Sequence, residues 1–435
     1  MKIKSILPLL TLTGTTLFTL PSFAQTSLQQ LAGIAASPTP AEANLAIAQL
    51  REKGPEGIQA FLNLHADKLQ LNSNLDSKTR SSLQTALDSI CAQRDCYASQ
   101  LYWYTDLEKA KQAAAKTGKP ILSLHLLGKL NEELSCANSR FFRIALYPNA
   151  QISQYLRENY ILHWQSVRPA PRVTIDFGDG RTLERTLTGN SIHYILDSNG
   201  RPIEALPGLY GPQAFLKQLS RTNNFVKSYN NTPPQQQETL LRQYHQQRLS
   251  EIESSWQNDF TKLGQLVPPL PSLPNTAQPQ PTALEAAPIA MSKMVVEMPV
   301  LRSITPSAES NTPTADNSIW EKLAELHAAD ARLDSNTINL MQSKNSNYQN
   351  LENLQKVLPN FERNIALDTV RNEYLFHRQL HQWFINGQST NNLENLNQRV
   401  YAELFLTPSS DPWLGLMPVD SYTGIENDGM LRTKN

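Results

Sequence analysis

The residues of this 435-residue chain that could carry chemistry are three cysteines, a spaced Glu-His-His run and three further histidines. Cys91 and Cys96 lie within Ser89-Ile90-Cys91-Ala92-Gln93-Arg94-Asp95-Cys96. A disulfide between them would close a loop of about six residues, worth roughly 2 kcal/mol on a loop-entropy argument. It would require the chain to leave helix between the two, because residues five apart on a helix point to different faces. A bridge and two separate thiols both fit the spacing. Cys136 is the odd cysteine, either a small buried side chain or a reactive thiol. Glu373, His377 and His381 stand at i, i+4 and i+8, which sets a carboxylate and two imidazoles along one helix face. Two histidines four apart can chelate Zn²⁺. Residue 378 is Arg, however, so the zinc-protease pattern is absent. Positions eight apart also rise about 12 Å along the axis, too far to share one ion. That face reads as packing and hydrogen bonding, and no metal or other cofactor is expected. His125, His163 and His193 fall in predicted strands and read as satisfied core histidines.

The elements that must position these residues follow from composition and pattern. Lys+Arg and Asp+Glu balance at 39 each, and only 18% of residues are charged. A chain with no net charge and no basic block lacks the footprint of a nucleic-acid binder. Lys2 and Lys4, the apolar stretch Ile6 to Leu20, and Pro21-Ser22-Phe23-Ala24 read as a secretory signal cleaved after Ala24. The chain is therefore expected to be exported, to the periplasm, with no membrane span after cleavage. Residues 25–97 read as short helices. Thr39-Pro40-Ala41-Glu42 has the residues of a capping box, and Ala46, Leu50, Ile58, Phe61, Leu62, Leu83, Leu87 and Ile90 supply apolar faces.

Residues 98–230 alternate. Thr105-Asp106-Leu107-Glu108 forms a second box before a helix closed by Thr117-Gly118, and Ile121 to Leu127 is an apolar strand. A helix after Cys136 turns Phe141, Phe142, Ile144 and Ala145 inward, and Ile152 to Glu158 is another. Tyr160 to Val167 is a strand, and Arg172 to Phe177 with Thr182 to Leu187 forms a hairpin about Gly178-Asp179-Gly180. Two more strands, Ile192 to Leu196 and Pro202 to Leu206, precede a closing helix. This is an α/β layer sandwich with all-α regions on either side. A connecting helix follows over 231–264, with Leu240, Leu241, Tyr244, Leu249, Ile252 and Trp256 on one face. A Pro-rich linker occupies 265–316, and a helical C-terminal region 317–435. Met291 to Val300 within the linker reads as an apolar docking segment in preference to a thioether copper site.

Leu107 through Leu219 resembles a thioredoxin-like domain of exported bacterial proteins. The resemblance rests on Gly118-Lys119-Pro120 before the first core strand, Cys136-Ala137-Asn138-Ser139 at a helix head, and Leu156 to Tyr160 before the next strand. The stretch from Gly189 to Arg201 lies where the family has its glycine, cis-proline, strand and turn. It implies an α/β/α sandwich on a mixed sheet. It also implies a site in which Cys136 holds the first position of a Cys-x-x-Cys motif and Ser139 the second. A serine cannot displace a disulfide, so the dithiol cycle is excluded within the motif, and Ser139 is left to hydrogen-bond the thiolate. The family's cis-proline falls on Ser191, which with Ile192 and His193 would line the binding groove. His193 would lower the Cys136 pKa or bind a metal with it if it faced that loop, and Cys91 or Cys96 could act as resolving thiol if the N-terminal helices cover it. The function expected is a binding or scaffold module contacting envelope or exported proteins, through one thiol in a mixed disulfide or otherwise. The alternatives are a monothiol oxidoreductase or isomerase using Cys136, and a purely helical interaction scaffold.

Overall fold

A computed structural model describes residues 27–69, 76–186, 189–271, 314–344, 351–387 and 390–407. The N-terminal stretch read as a signal sequence, most of the Pro-rich linker with its Met291 to Val300 segment, and the tail from 408 lie outside the described residues. Among the described residues no helix is long and apolar enough to cross a membrane.

The N-terminal helices are α1 (Leu28–Ile34), α2 (Pro40–Glu52), α3 (Pro55–Leu69) and α4 (Ser77–Cys91). Ser27 and Gln30 close a reciprocal capping box on α1. The box expected at Thr39 does not form. The Thr39 side chain makes no cap hydrogen bond, and Pro40 opens α2 through its preset φ alone. The apolar faces around Leu50, Phe61, Leu87 and Ile90 meet in one cluster that also holds Cys91 and Cys96. α4 stops where Ala92 turns left-handed (φ 54°), and Asp95 (φ 61°) leads into α5 (Cys96–Ser99). Those two non-glycine left-handed residues take the chain out of helix, and Cys91 and Cys96 are joined by a disulfide across the loop.

The centre is a five-stranded mixed sheet. Its strands are β1 (Trp103–Tyr104), β2 (Ile121–Leu127), β3 (Ile161–Arg168), β6 (Ser191–Leu196) and β7 (Pro202–Pro207), in spatial order β1-β3-β2-β6-β7. β1, β3 and β2 run parallel, while β6 is antiparallel to β2 and β7 to β6. β2, β6 and β7 are buried along their whole length, as strands covered on both faces must be, which is why they read as nearly unbroken apolar runs. Between β3 and β6 the chain makes a separate hairpin, β4 (Arg172–Asp176) with β5 (Thr182–Thr186). α6 (Leu107–Thr117) is capped by Asp106, whose carboxylate accepts from Glu108 N and Lys109 N; Thr105 is not the cap.

α7 (Ala137–Phe141) widens into a π-type turn over Phe142–Leu146 before α8 (Ala150–Asn159). The wider turn buries Arg143 in place of Ile144, which stays half-buried. Arg143 pairs at 2.9 Å with the almost fully buried Asp95 of the disulfide loop. Breaking such a pair from one side costs about 3–5 kcal/mol, so it fastens the N-terminal helices to the centre. Trp164 Nε1 donating to the Ala92 carbonyl (2.8 Å) and Trp103 Nε1 donating to Gln93 (2.8 Å) act beside it.

α9 (Pro212–Asn230) and α10 (Pro234–Lys262) follow the sheet. After the linker come α11 (Thr314–Leu326), α12 (Ser335–Lys344), α13 (Leu351–Arg371), α14 (Arg378–Ile385) and α15 (Leu393–Arg399). A π-type turn over Asn372–His377 joins α13 to α14, and another, Val400–Leu404, extends α15. These helices do not form a core of their own. Trp256 of α10 packs on Trp320 and Tyr374, and the cluster is continuous with the apolar interior of the sheet.

Candidate functional site

Cys136 is the N-cap of α7. Its backbone is extended (φ −60°, ψ 161°), and its Sγ accepts from the Ser139 backbone N–H at 3.4 Å. An N-cap acceptor in this position meets one of the helix's unpaired donors, a role the cysteine sulfur fills here. The Ser139 hydroxyl is buried and makes no hydrogen bond to protein, so the contact expected from that side chain comes from its backbone instead.

Ser191 starts β6 directly across from the head of α7. Asn138 Nδ2 donates to Ser191 Oγ at 2.8 Å. Gly189 explains how the two segments come so close: a Cβ there would stand 2.6 Å from Asn138 Oδ1 and 3.3 Å from the Ala137 Cβ. Among the described residues every peptide bond is trans, Ser191 included. Ser191, Ile192 and His193 are nonetheless not an open groove; all are essentially inaccessible.

The chain's own C-terminal segment packs against the residue that precedes Ser191. Tyr401 Oη donates to the Asn190 carbonyl (3.2 Å), and Asn190 Nδ2 donates to Thr407 Oγ1 (2.8 Å). Arg168 donates to the Thr407 carbonyl at 2.8 Å. Burial pushes the Tyr401 hydroxyl well above its usual range, and the nearby Cys136 sulfur adds to the shift. On the other flank Thr186 at the end of β5 donates to the Ser135 carbonyl (3.0 Å), and Arg140 reaches the same carbonyl at 2.8 Å. Cys136 is left with no exposed surface. Cys91 and Cys96 are bonded to each other in the N-terminal cluster, so neither offers a resolving thiol.

His193 lies on the same sheet face as Ser191 but is engaged elsewhere. Its Nε2 bonds to Tyr147 Oη at 2.7 Å, and its ring packs on Phe142 and Phe215. Burial depresses its pKa to about 3, so it is a neutral core group and not a cation lowering the thiol pKa. His125 is held at about 3 by burial, and His163 at about 4 by burial against a weaker pull from Asp106. His163 Nδ1 also bonds to Ser123 Oγ at 2.8 Å.

The spaced run on the C-terminal helices divides into two uses. His377 sits between two carboxylates, with Nδ1 2.9 Å from Glu373 and Nε2 3.2 Å from Glu204. Burial alone would lower its pKa, but Glu373 and Glu204 outweigh it and raise the ring to about 9. His381, one turn on, faces His245 of α10, the two Nδ1 atoms 2.8 Å apart. One donor atom each from Glu204, His245 and His381 lies within 4.8 Å of the others, and all three residues are buried. Glu373 takes no part in that group, in keeping with its distance along the helix. Glu204 and His245 went unread in the sequence. The signals were a lone carboxylate inside the apolar strand β7, and His245 with Arg248 on the buried stripe Leu241, Tyr244, Ile252 and Trp256.

No protein-family model matches the chain, and neither a curated protein nor a solved structure does.

Proposed function

We propose that this chain is an exported thioredoxin-like protein that serves as a binding or scaffold module of the cell envelope, with Cys136 as a structural cap. The carrying observation is the complete burial of Cys136, with Tyr401 of the C-terminal segment near its sulfur. Thiol–disulfide exchange needs a thiolate free to approach a disulfide sulfur. Here Cys136 and the facing residues Ser191, Ile192 and His193 are all buried, so none offers a surface to such a substrate. The sheet order, the Cys136 helix head and its juxtaposition with Ser191 support the thioredoxin-like reading, and the N-terminal basic, apolar and small-residue pattern supports export.

Incubating the folded protein with glutathione disulfide and weighing it intact tests this. No glutathione adduct is expected on Cys136 until the chain is unfolded. Rapid adduct formation on the folded chain, reversed by glutathione, would instead support the second reading, monothiol exchange. One observation favours that alternative: the Ser139 N–H aimed at Sγ is the contact that stabilises a thiolate.

A further inference from the structure

We infer that Glu204, His245 and His381 bind a first-row divalent metal ion of the zinc class, which staples the central sheet to the C-terminal helices. The inference is independent of the role given to Cys136. The three donors come from β7, α10 and α14, elements far apart in the chain, and none of the three side chains is exposed. Two imidazoles and one carboxylate are a zinc donor set.

Hydrogen bonding alone does not account for the pair of imidazoles. If one Nδ1 carried the proton and donated to the other, each ring would bury an unmet Nε2, one an N–H and one a lone pair. Both Nε2 atoms are buried without a protein partner. Two Nδ1 lone pairs converging on one point are the arrangement a cation requires. At Zn–N distances of about 2.0–2.1 Å tetrahedral ligands stand about 3.3 Å apart, so the 2.8 Å pair would open by about 0.5 Å on binding.

The surroundings are those of a supported ligand. Glu204 is oriented by Tyr244 Oη (2.8 Å), by its hydrogen bond with His377 Nε2 (3.2 Å) and by the Ala205 N–H (3.0 Å), which leaves a lone pair for an ion. His245 stacks on Phe384 with ring centroids 4.0 Å apart. Glu373 brings a second negative charge nearby, faced by Arg248 at 3.6 Å. Glu373 and Arg248 also line a cleft of about 650 Å³ between α9, α10 and α13.

The test uses untagged protein, with metal content measured by plasma mass spectrometry as purified and after unfolding and refolding with Zn²⁺ or with chelator. One equivalent of zinc is expected, with an unfolding temperature several degrees above that of chelator-refolded protein. His381→Gln and His245→Gln should each lose the metal and the zinc-dependent gain. Should either variant fail to fold, X-ray absorption on the wild type decides, showing nitrogen and oxygen neighbours at about 2.0–2.1 Å and no sulfur at about 2.3 Å. Protein that neither retains zinc nor gains stability from it would overturn the assignment. So would a sulfur ligand, which would move the ion to Cys136.

Discussion

His327 shows how single side chains set the pH response. It sits 2.6 Å from Asp259, with Asp330 3.9 Å away, and the hydrogen bond to Asp259 together with the Asp330 carboxylate raises its pKa from 6.5 to about 9. A group raised on folding contributes stability that is complete below its unfolded pKa, near 6.5, and lost as pH climbs through the folded value, near 9. His327→Gln is therefore expected to lower the unfolding temperature by a few degrees at pH 6, with the gap to wild type closing by pH 10. Thermal unfolding across that range checks this; a constant gap would show that charge pairing is not the source. At this scale the sequence was readable where one residue type has one use. Cys136 at a helix head and Ser191 opposite were both legible, and so was the core placement of His125, His163 and His193, although the His125 ring is not satisfied as expected. The Glu204, His245 and His381 cluster was not, because its members are brought together only by tertiary packing, and helix periodicity relates Glu373 to His381 but neither of them to α10 or β7.

The loop between α4 and α5 makes the corresponding point for elements. The left-handed Ala92 and Asp95 give Cys91 and Cys96 their pairing geometry, and the same loop carries the Asp95 that receives Arg143. Replacing both cysteines by serine should lower stability by about 2 kcal/mol, the entropy of a six-residue loop. Denaturant unfolding measures it directly. Little change would mean that Arg143 and the tryptophan hydrogen bonds hold the loop unaided. Strands β2 and β6 were visible as apolar runs because full burial leaves no alternation to read. Ile144 was expected inward where Arg143 is the buried residue, because the π-type turn shifts the phase relative to a regular helix, and no local pattern announces that turn. Thr39 and Thr105 had the residue types of capping boxes, yet the Thr39 side chain makes no cap bond and the better-placed Asp106 caps α6.

For the whole molecule, the decisive feature is a contact between residues more than two hundred positions apart. Asn190 meets Tyr401 and Thr407, and Tyr401 stands near the fully buried Cys136 sulfur. Nothing in the spacing of Tyr401 or Thr407 points to residue 190, and a proline-rich linker between the parts suggested separate bodies. The shared apolar core shows the C-terminal helices serving instead as part of the wall around the sheet. A thiol so buried reacts only when the structure around it opens, and an opening free energy of about 3 kcal/mol slows labelling about a hundredfold. The most direct measurement is the rate at which iodoacetamide alkylates Cys136, compared between folded and unfolded chain and with Tyr401→Ala. The account predicts labelling of the folded protein at least about a hundredfold slower than of the unfolded chain, with a clear acceleration when Tyr401 is removed. Equal rates in folded and unfolded protein would contradict it.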